Sequence, residues 1–402
     1  MRDMRFLRLV PVMMGLATMA LVSPRLQSAP VKASGNVTVR RIPHAGIQPE
    51  AVVDVKGVLH LIYFSGPPAG GDLYYVRSSD LGATFSTPVR INSQSGSAIA
   101  TGTIRGGQLA LGRGGRVHVV WNGSDTARPR GAINPDNGKP GAPFLYARSS
   151  PDGRRFEPQR NLSGGVYSVD GGGTIAADGN GHVYAVWHGN REAEGRGEDH
   201  RTLWIARSAD EGVTFAPEAT VWQAQTGACG CCQTRALATA PRGLTILYRS
   251  ATNLTHRDMY VLTSNDGGAT FGGSIVQPWE LNACPMTSLS LASAGAGTVA
   301  AWETAGQVYF GSVDAAAGRI PKITPAPGSA AGRKHPRLAV NASGQTLLVW
   351  TEKTGWARGG SVAWQVFDTS GPQGTTGAAA SLAVWSFATA VARPDGGFVV
   401  LY

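Results

Sequence analysis

The sequence is poor in charge. Asp, Glu, Lys and Arg make up only 15% of its 402 residues, and neither sign forms a long run. A self-repelling, solvated polymer is thereby excluded, and a hydrophobic share of 42% is ordinary for a chain that buries a core. Uninterrupted helical stretches are also missing. The chain holds 54 Gly and 24 Pro, which cut any 3.6-residue period into short pieces and exclude coiled coils and helical repeat arrays. Only one long apolar run exists, the 14 residues from Leu9 to Val22, and it falls short of the ~20 needed to span a bilayer as a helix. Cysteine is scarce as well, at four residues.

What is present begins with an excess of base, +10 overall. Arg2, Arg5 and Arg8 precede the Leu9–Val22 run, and small residues follow at Ala29 and Ala33, the arrangement of an export signal cleaved after one of those alanines. Cleavage after Ala33 removes Arg2, Asp3, Arg5, Arg8, Arg25 and Lys32, which leaves the mature chain at +6. The remaining basic residues are scattered among acids, which argues against nucleic acid as a partner. The expectation is a secreted or periplasmic monomer of residues 34–402, with no stable membrane insertion once the signal is gone.

One pattern recurs along the chain. Ser78-Ser79-Asp80-Leu81-Gly82-Ala83-Thr84-Phe85 is echoed at Ser208–Phe215, around Asp210 and Gly212, and at Ser264–Phe271, around Asp266 and Gly268. A degenerate copy spans Ser149–Phe156 and lacks the aspartate and threonine at their usual places. An aspartate that accepts nearby backbone N–H groups, a glycine free to take positive φ and a closing aromatic together make a turn between strands. These octapeptides resemble the Asp-box, or BNR repeat, of the sialidase superfamily, over roughly Gln48 to Tyr402. The resemblance implies an all-β propeller in which each box joins the third and fourth strands of a blade. Innermost strands are expected near Glu50, Thr103, Gly173, Gln233, Thr287, Arg337 and Ala388, the last blade being completed by Val37–Ile42. Those starts count seven, whereas sialidases have six, so six or seven four-stranded blades are expected.

If the boxes share one face, the opposite face collects the approaches to the innermost strands and the loops between second and third strands. Chemistry-bearing residues concentrate there: Glu192, Glu194, Glu198, Asp199 and His200 in one loop, Arg249, His256, Arg257 and Asp258 in another, with Glu303, Glu352 and Trp356 in later blades. Cys229, Cys231 and Cys232 precede one innermost strand and Cys284 the next, so the four meet near the channel mouth. Three readings stay open for them: disulfides with Cys284 linked to one of the three, a four-thiolate site for zinc or copper, and a reactive thiol.

The sialidase resemblance implies an arginine triad for a substrate carboxylate, a tyrosine nucleophile with a glutamate partner, and an aspartate acid/base. Leu244–Arg249 is similar to the segment that ends in the central triad arginine, which makes Arg249 the leading ligand-binding residue. Arg40-Arg41-Ile42-Pro43 echoes the N-terminal Phe/Tyr-Arg-Ile-Pro motif through Arg41, and Arg337 is a third arginine by position. The partner glutamate's place holds Cys231-Cys232-Gln233, and no glutamate lies between Glu218 and Glu280, so the usual mechanism lacks its activating carboxylate. With the Asn-Ala-Cys-Pro, His335-Pro336-Arg337 and Thr354-Gly355-Trp356 stretches, the chain resembles a group of exported bacterial sialidase-like proteins.

Two function classes follow, with a third beside them. The first is a channel-mouth pocket, built on the cysteine cluster and Arg249 with Arg41, Arg337, His335 and Trp356, that takes an anionic small molecule or carbohydrate, with zinc or copper as the metal version. The second is an exo-glycosidase of sialidase type using carboxylates drawn from Asp170, Glu303 and Glu352. The third is a non-catalytic scaffold for another protein.

Overall fold

The structure, a computed structural model, describes residues 36–402 apart from 193–194, 240 and 329–331. The export-signal reading and Glu194 lie outside the described residues. Seven radial sheets form a β-propeller, six of four antiparallel strands and one of three. We number the blades I to VII in chain order. Their innermost strands are Ile47–Val53, Gln108–Leu111, Thr174–Ala177, Arg235–Thr239, Leu289–Ala294, Lys334–Val340 and Thr389–Ala392. Blade VII is completed by Val37–Arg40, which runs parallel to Phe398–Leu401 and joins the two ends of the ring. The count is therefore seven, and the closing blade has three strands rather than four.

Second strands explain why the blades stack. Val117–Asn122 and Val183–Gly189 are buried at every position, because both faces of a blade meet a neighbour, so these strands read as continuous apolar runs rather than alternating ones. A large aromatic sits near the same end of six of them: Phe64, Trp121, Trp187, Tyr248, Trp302 and Trp350, all buried. Truncating one such ring typically costs about 3–5 kcal/mol.

The four octapeptide turns follow the third strands of blades I to IV. In the first, Ser78 Oγ donates to Asp80 Oδ1 (2.7 Å) and accepts from Gly82 N (2.7 Å), while Asp80 accepts from Thr84 N (2.8 Å) and Thr84 Oγ1 (2.7 Å). The turns at Ser208 and Ser264 repeat this set. In the degenerate copy, Ser150 and Asp152 take the serine and aspartate places, and Asp152 accepts from Arg154 N (3.1 Å). Its aspartate is therefore present, in a turn one residue shorter. Gly212 is required twice over: its φ is 71°, and a Cβ there would stand 1.9 Å from the Tyr146 hydroxyl oxygen.

Charged side chains cross the channel. Arg337 Nη2 donates to Glu50 Oε1 (2.7 Å), Arg235 pairs with the same carboxylate, Gln108 Nε2 adds a bond to it (3.2 Å), and Arg235 also donates to Gln108. Burial alone would raise the Glu50 carboxyl, but the two guanidiniums outweigh it and hold it below its ordinary value. Burial pulls Arg337 down to about 10. On the turn side of this bridge lies a cavity of about 270 Å³ lined by the innermost strands.

Candidate functional site

The face opposite the octapeptide turns is organised around sulfur. Cys229 is bonded to Cys232 and Cys231 to Cys284. The two disulfides touch, with Cys229 Sγ 3.6 Å from Cys231 Sγ. Ile104, fully buried, packs on them together with Met286. Ile104 belongs to the long connection between blades I and II, which crosses the mouth. Gly172 lies so close beneath it that a Cβ there would stand 1.6 Å from the Ile104 carbonyl oxygen. The cysteine turn is held by backbone bonds as well: Cys229 N donates to Arg249 O (2.9 Å), Cys232 N to Cys229 O (3.1 Å) and Gln233 N to Thr287 O (2.9 Å).

A charged cluster surrounds this knot. Arg105 Nε donates to Asp170 O (2.7 Å) and Oδ1 (3.2 Å), while the Asp170 side chain remains 47% exposed. Glu198 clamps the loop of blade III onto the cysteine turn, accepting from Gly230 N (2.7 Å) and pairing with Arg257 Nη1 (2.8 Å). Arg201 is buried beside Gly230, and its Nε and Nη1 have no hydrogen-bond partner. Burial lowers its pKa, although Asp170 and Glu198 partly offset that. His188, also buried, donates from Nε2 to Cys232 O (3.1 Å); burial and then Arg201 lower it to about 4, so it is neutral at pH 7.

Next to the knot, an aromatic corner faces solvent. Trp356 is 63% exposed and meets Trp385 edge to face at 6.0 Å. The pair, with Thr103, Met286, Lys334, His335 and Arg358, borders a cavity of about 60 Å³. Gly102 joins this corner to the charged cluster: a Cβ there would stand 3.3 Å from both Arg105 Nη1 and the Trp356 ring.

The structure redistributes the residues singled out in the sequence. Trp356 and His335 share the corner, and His335 is fixed by Thr103 Oγ1 (2.9 Å) and Thr351 Oγ1 (2.8 Å). Asp170 is at the mouth with a half-exposed carboxylate. Arg249 is a correction. It is 1% exposed, with Nε on Thr287 Oγ1 (2.9 Å), Nη1 on Arg257 O and Nη2 on Glu303 O and Thr304 Oγ1, and it lies over the Trp279 ring. It is a strut between blades IV and V, because a loop of blade IV and the end of the second strand of blade V both supply it with acceptors; burial lowers its pKa to about 10. Arg337 is likewise committed, to Glu50 and to the Phe387 ring. Arg41 stands exposed on the outer edge of blade VII, stacked on Tyr402.

Two of the proposed carboxylates are also occupied. Glu303 is buried, with Oε1 on Lys334 Nζ (3.0 Å) and Oε2 accepting from His335 N (2.8 Å). Glu352 Oε1 accepts from Trp350 Nε1 (2.9 Å) and Arg333 Nε (3.2 Å). Tyr248, before Arg249, is buried with its hydroxyl on Thr226 Oγ1 (2.7 Å), and burial raises its pKa, the reverse of an activated nucleophile. Arg105, Arg201 and Lys334 were not singled out from the sequence. For Arg105 the one signal was the strand-free connection from residue 91 to 107, since long loops in compact domains are commonly functional.

No protein-family model matches the sequence, and no curated protein does. Solved structures match by shape. The NanB sialidase of Streptococcus pneumoniae superposes with a TM-score of 0.53 at 11% identity, covering 82% of this chain and 68% of that one. The GH93 α-L-arabinofuranosidase of Fusarium graminearum, in complex with arabinobiose, gives 0.51 at 12% identity over 79% and 93% of the two chains. A protein of unknown function from Dyadobacter fermentans gives 0.50 at 16% identity over 88% and 100%. At these identities the likeness is one of fold, and the fold is a sialidase-like β-propeller.

Proposed function

We propose that this is an exported, monomeric Asp-box propeller that binds an acidic saccharide at its channel mouth, with the sugar ring against Trp356 and the anionic group met by the exposed Arg358. The observation that carries the reading is the Trp356–Trp385 corner, a large apolar face left open to water beside the exposed Arg358 guanidinium. A sugar's C–H face covers such a ring without leaving its hydroxyls unpaired, and charged donors hold a carboxylate or sulfate by charge-assisted bonds. The named neighbours, a sialidase and an arabinofuranosidase bound to arabinobiose, support a saccharide as the ligand class. Among the described residues no helix is long and apolar enough to cross a membrane.

Calorimetric titration with glucuronate, N-acetylneuraminate and neutral glucose tests this. The acidic sugars should bind, and Trp356→Ala should weaken them at least about tenfold without lowering the melting temperature. Equal binding of glucose, or indifference to the substitution, would remove the reading. Hydrolysis is the second reading, and the half-exposed Asp170 favours it. It requires turnover of a fluorogenic glycoside that Asp170→Asn abolishes.

A further inference from the structure

We propose that the two disulfides are the oxidised form of a four-thiolate site for a thiophilic d¹⁰ cation, Zn²⁺ or Cu⁺. Four observations carry this. The sulfurs of Cys229, Cys231 and Cys232 lie within 4.8 Å of one another, and Cys284 is bonded to one of them. Two covalent staples have no need to touch, whereas a tetrahedral site with metal–sulfur bonds of about 2.3 Å has sulfur–sulfur edges of ~3.8 Å. The non-bonded Cys229–Cys231 separation is 3.6 Å. Next, the cysteine turn is held by hydrogen bonds to Arg249 O, Glu198 Oε1 and Thr287 O, so three sulfurs stay gathered after reduction.

The third observation is charge. Arg201 presents a buried guanidinium with unpartnered Nε and Nη1, the latter against Gly230, inside the Cys-Gly-Cys-Cys turn. Neutral disulfide sulfur gives this cation nothing to pair with, whereas a thiolate cluster in the same turn supplies compensating negative charge. Finally, Cys284 is exposed, which gives a reductant and an ion their way in, while the other three are buried. The chemistry balances with a dithiol reductant. Each disulfide takes two electrons and two protons from one dithiol, which closes to its own disulfide; four thiols result, and the bound ion displaces their protons to solvent.

The test uses the full mature chain. After anaerobic reduction and desalting, four thiols should titrate, and competition with a chromophoric chelator should show one equivalent of Zn²⁺ or of Cu⁺ bound, in separate arms. Co²⁺ should give the absorption of a tetrahedral thiolate complex. The oxidised chain should bind none of these ions. Arg201→Gln keeps all four thiols and should weaken binding about tenfold, as expected for a group that supports ligands from outside the coordination sphere. Cys284→Ser should abolish the tetrahedral Co²⁺ spectrum. The proposal is overturned if the reduced chain binds no more tightly than the oxidised one, or if the Co²⁺ spectrum survives Cys284→Ser. Should Cys284→Ser fail to fold, unchanged affinity in Arg201→Gln overturns it instead.

Discussion

The two faces of the propeller are built by opposite means. On the turn face, Ser208, Asp210 and Thr214 satisfy one another and their own backbone across at most four residues of chain. At the mouth, the bonds that matter join residues far apart: Arg105 to Asp170 over 65 positions, Thr103 to His335 over 232, and Glu50 to Arg337 over 287. A locally closed turn survives alteration of its surroundings and does nothing for a ligand. A mouth assembled from seven blades depends on ring closure, and it is where exposed aromatic surface, an exposed carboxylate and unpartnered buried N–H groups collect.

The largest expected effect lies in the long-range set. Glu50→Ala strands Arg235 and Arg337 in the channel without their shared anion, and it should cost about 3–5 kcal/mol in urea unfolding. A loss comparable to that of a surface substitution would break the contrast at its strongest point. The disulfides sharpen it next. Cys231–Cys284 closes 53 positions of chain and Cys229–Cys232 only 3, so chain entropy assigns them about 4 and about 2 kcal/mol respectively. Cys284→Ser should therefore lower stability about twice as much as Cys229→Ser.

Acid should act on the mouth before it acts on the turns. The folded state holds His188 near 4 against an ordinary 6.5, so the unfolded chain binds more protons in that interval. Stability is then complete above about 6.5 and falls as pH drops toward 4. His188→Gln should flatten that part of the profile, followed by stepwise-pH urea melts. Glu50 and Asp210 have depressed values, and their contributions vanish only as pH falls below the ordinary carboxylate range, Asp210 near 2. The smallest effect belongs to a single turn: Ser208→Ala removes the bond from Gly212 N and should cost about 1 kcal/mol.

The same contrast governs what could be read from the residues alone. The turns were legible because their partners are neighbours in sequence, and the blade starts because apolar strands recur at similar spacing. Val37–Arg40 was recognisable as the closing strand by its place at the chain's beginning, beside the two C-terminal strands of that blade. Arg249 was found as a strand-terminal arginine, but its burial is decided by Arg257 O, in a loop of blade IV, and Glu303 O, near the end of the second strand of blade V. Arg201 and Arg105 carried no local motif at all; only packing around the cysteine knot distinguishes them from the arginines of the surface.

The most direct test of the division between scaffold and site is a paired measurement on two variants, Trp356→Ala and Ser208→Ala, comparing acidic-saccharide affinity with melting temperature. Trp356→Ala should lose at least about tenfold in affinity at an unchanged melting temperature, and Ser208→Ala should melt earlier with affinity intact. Binding that persists in Trp356→Ala and fails in Ser208→Ala would contradict the account.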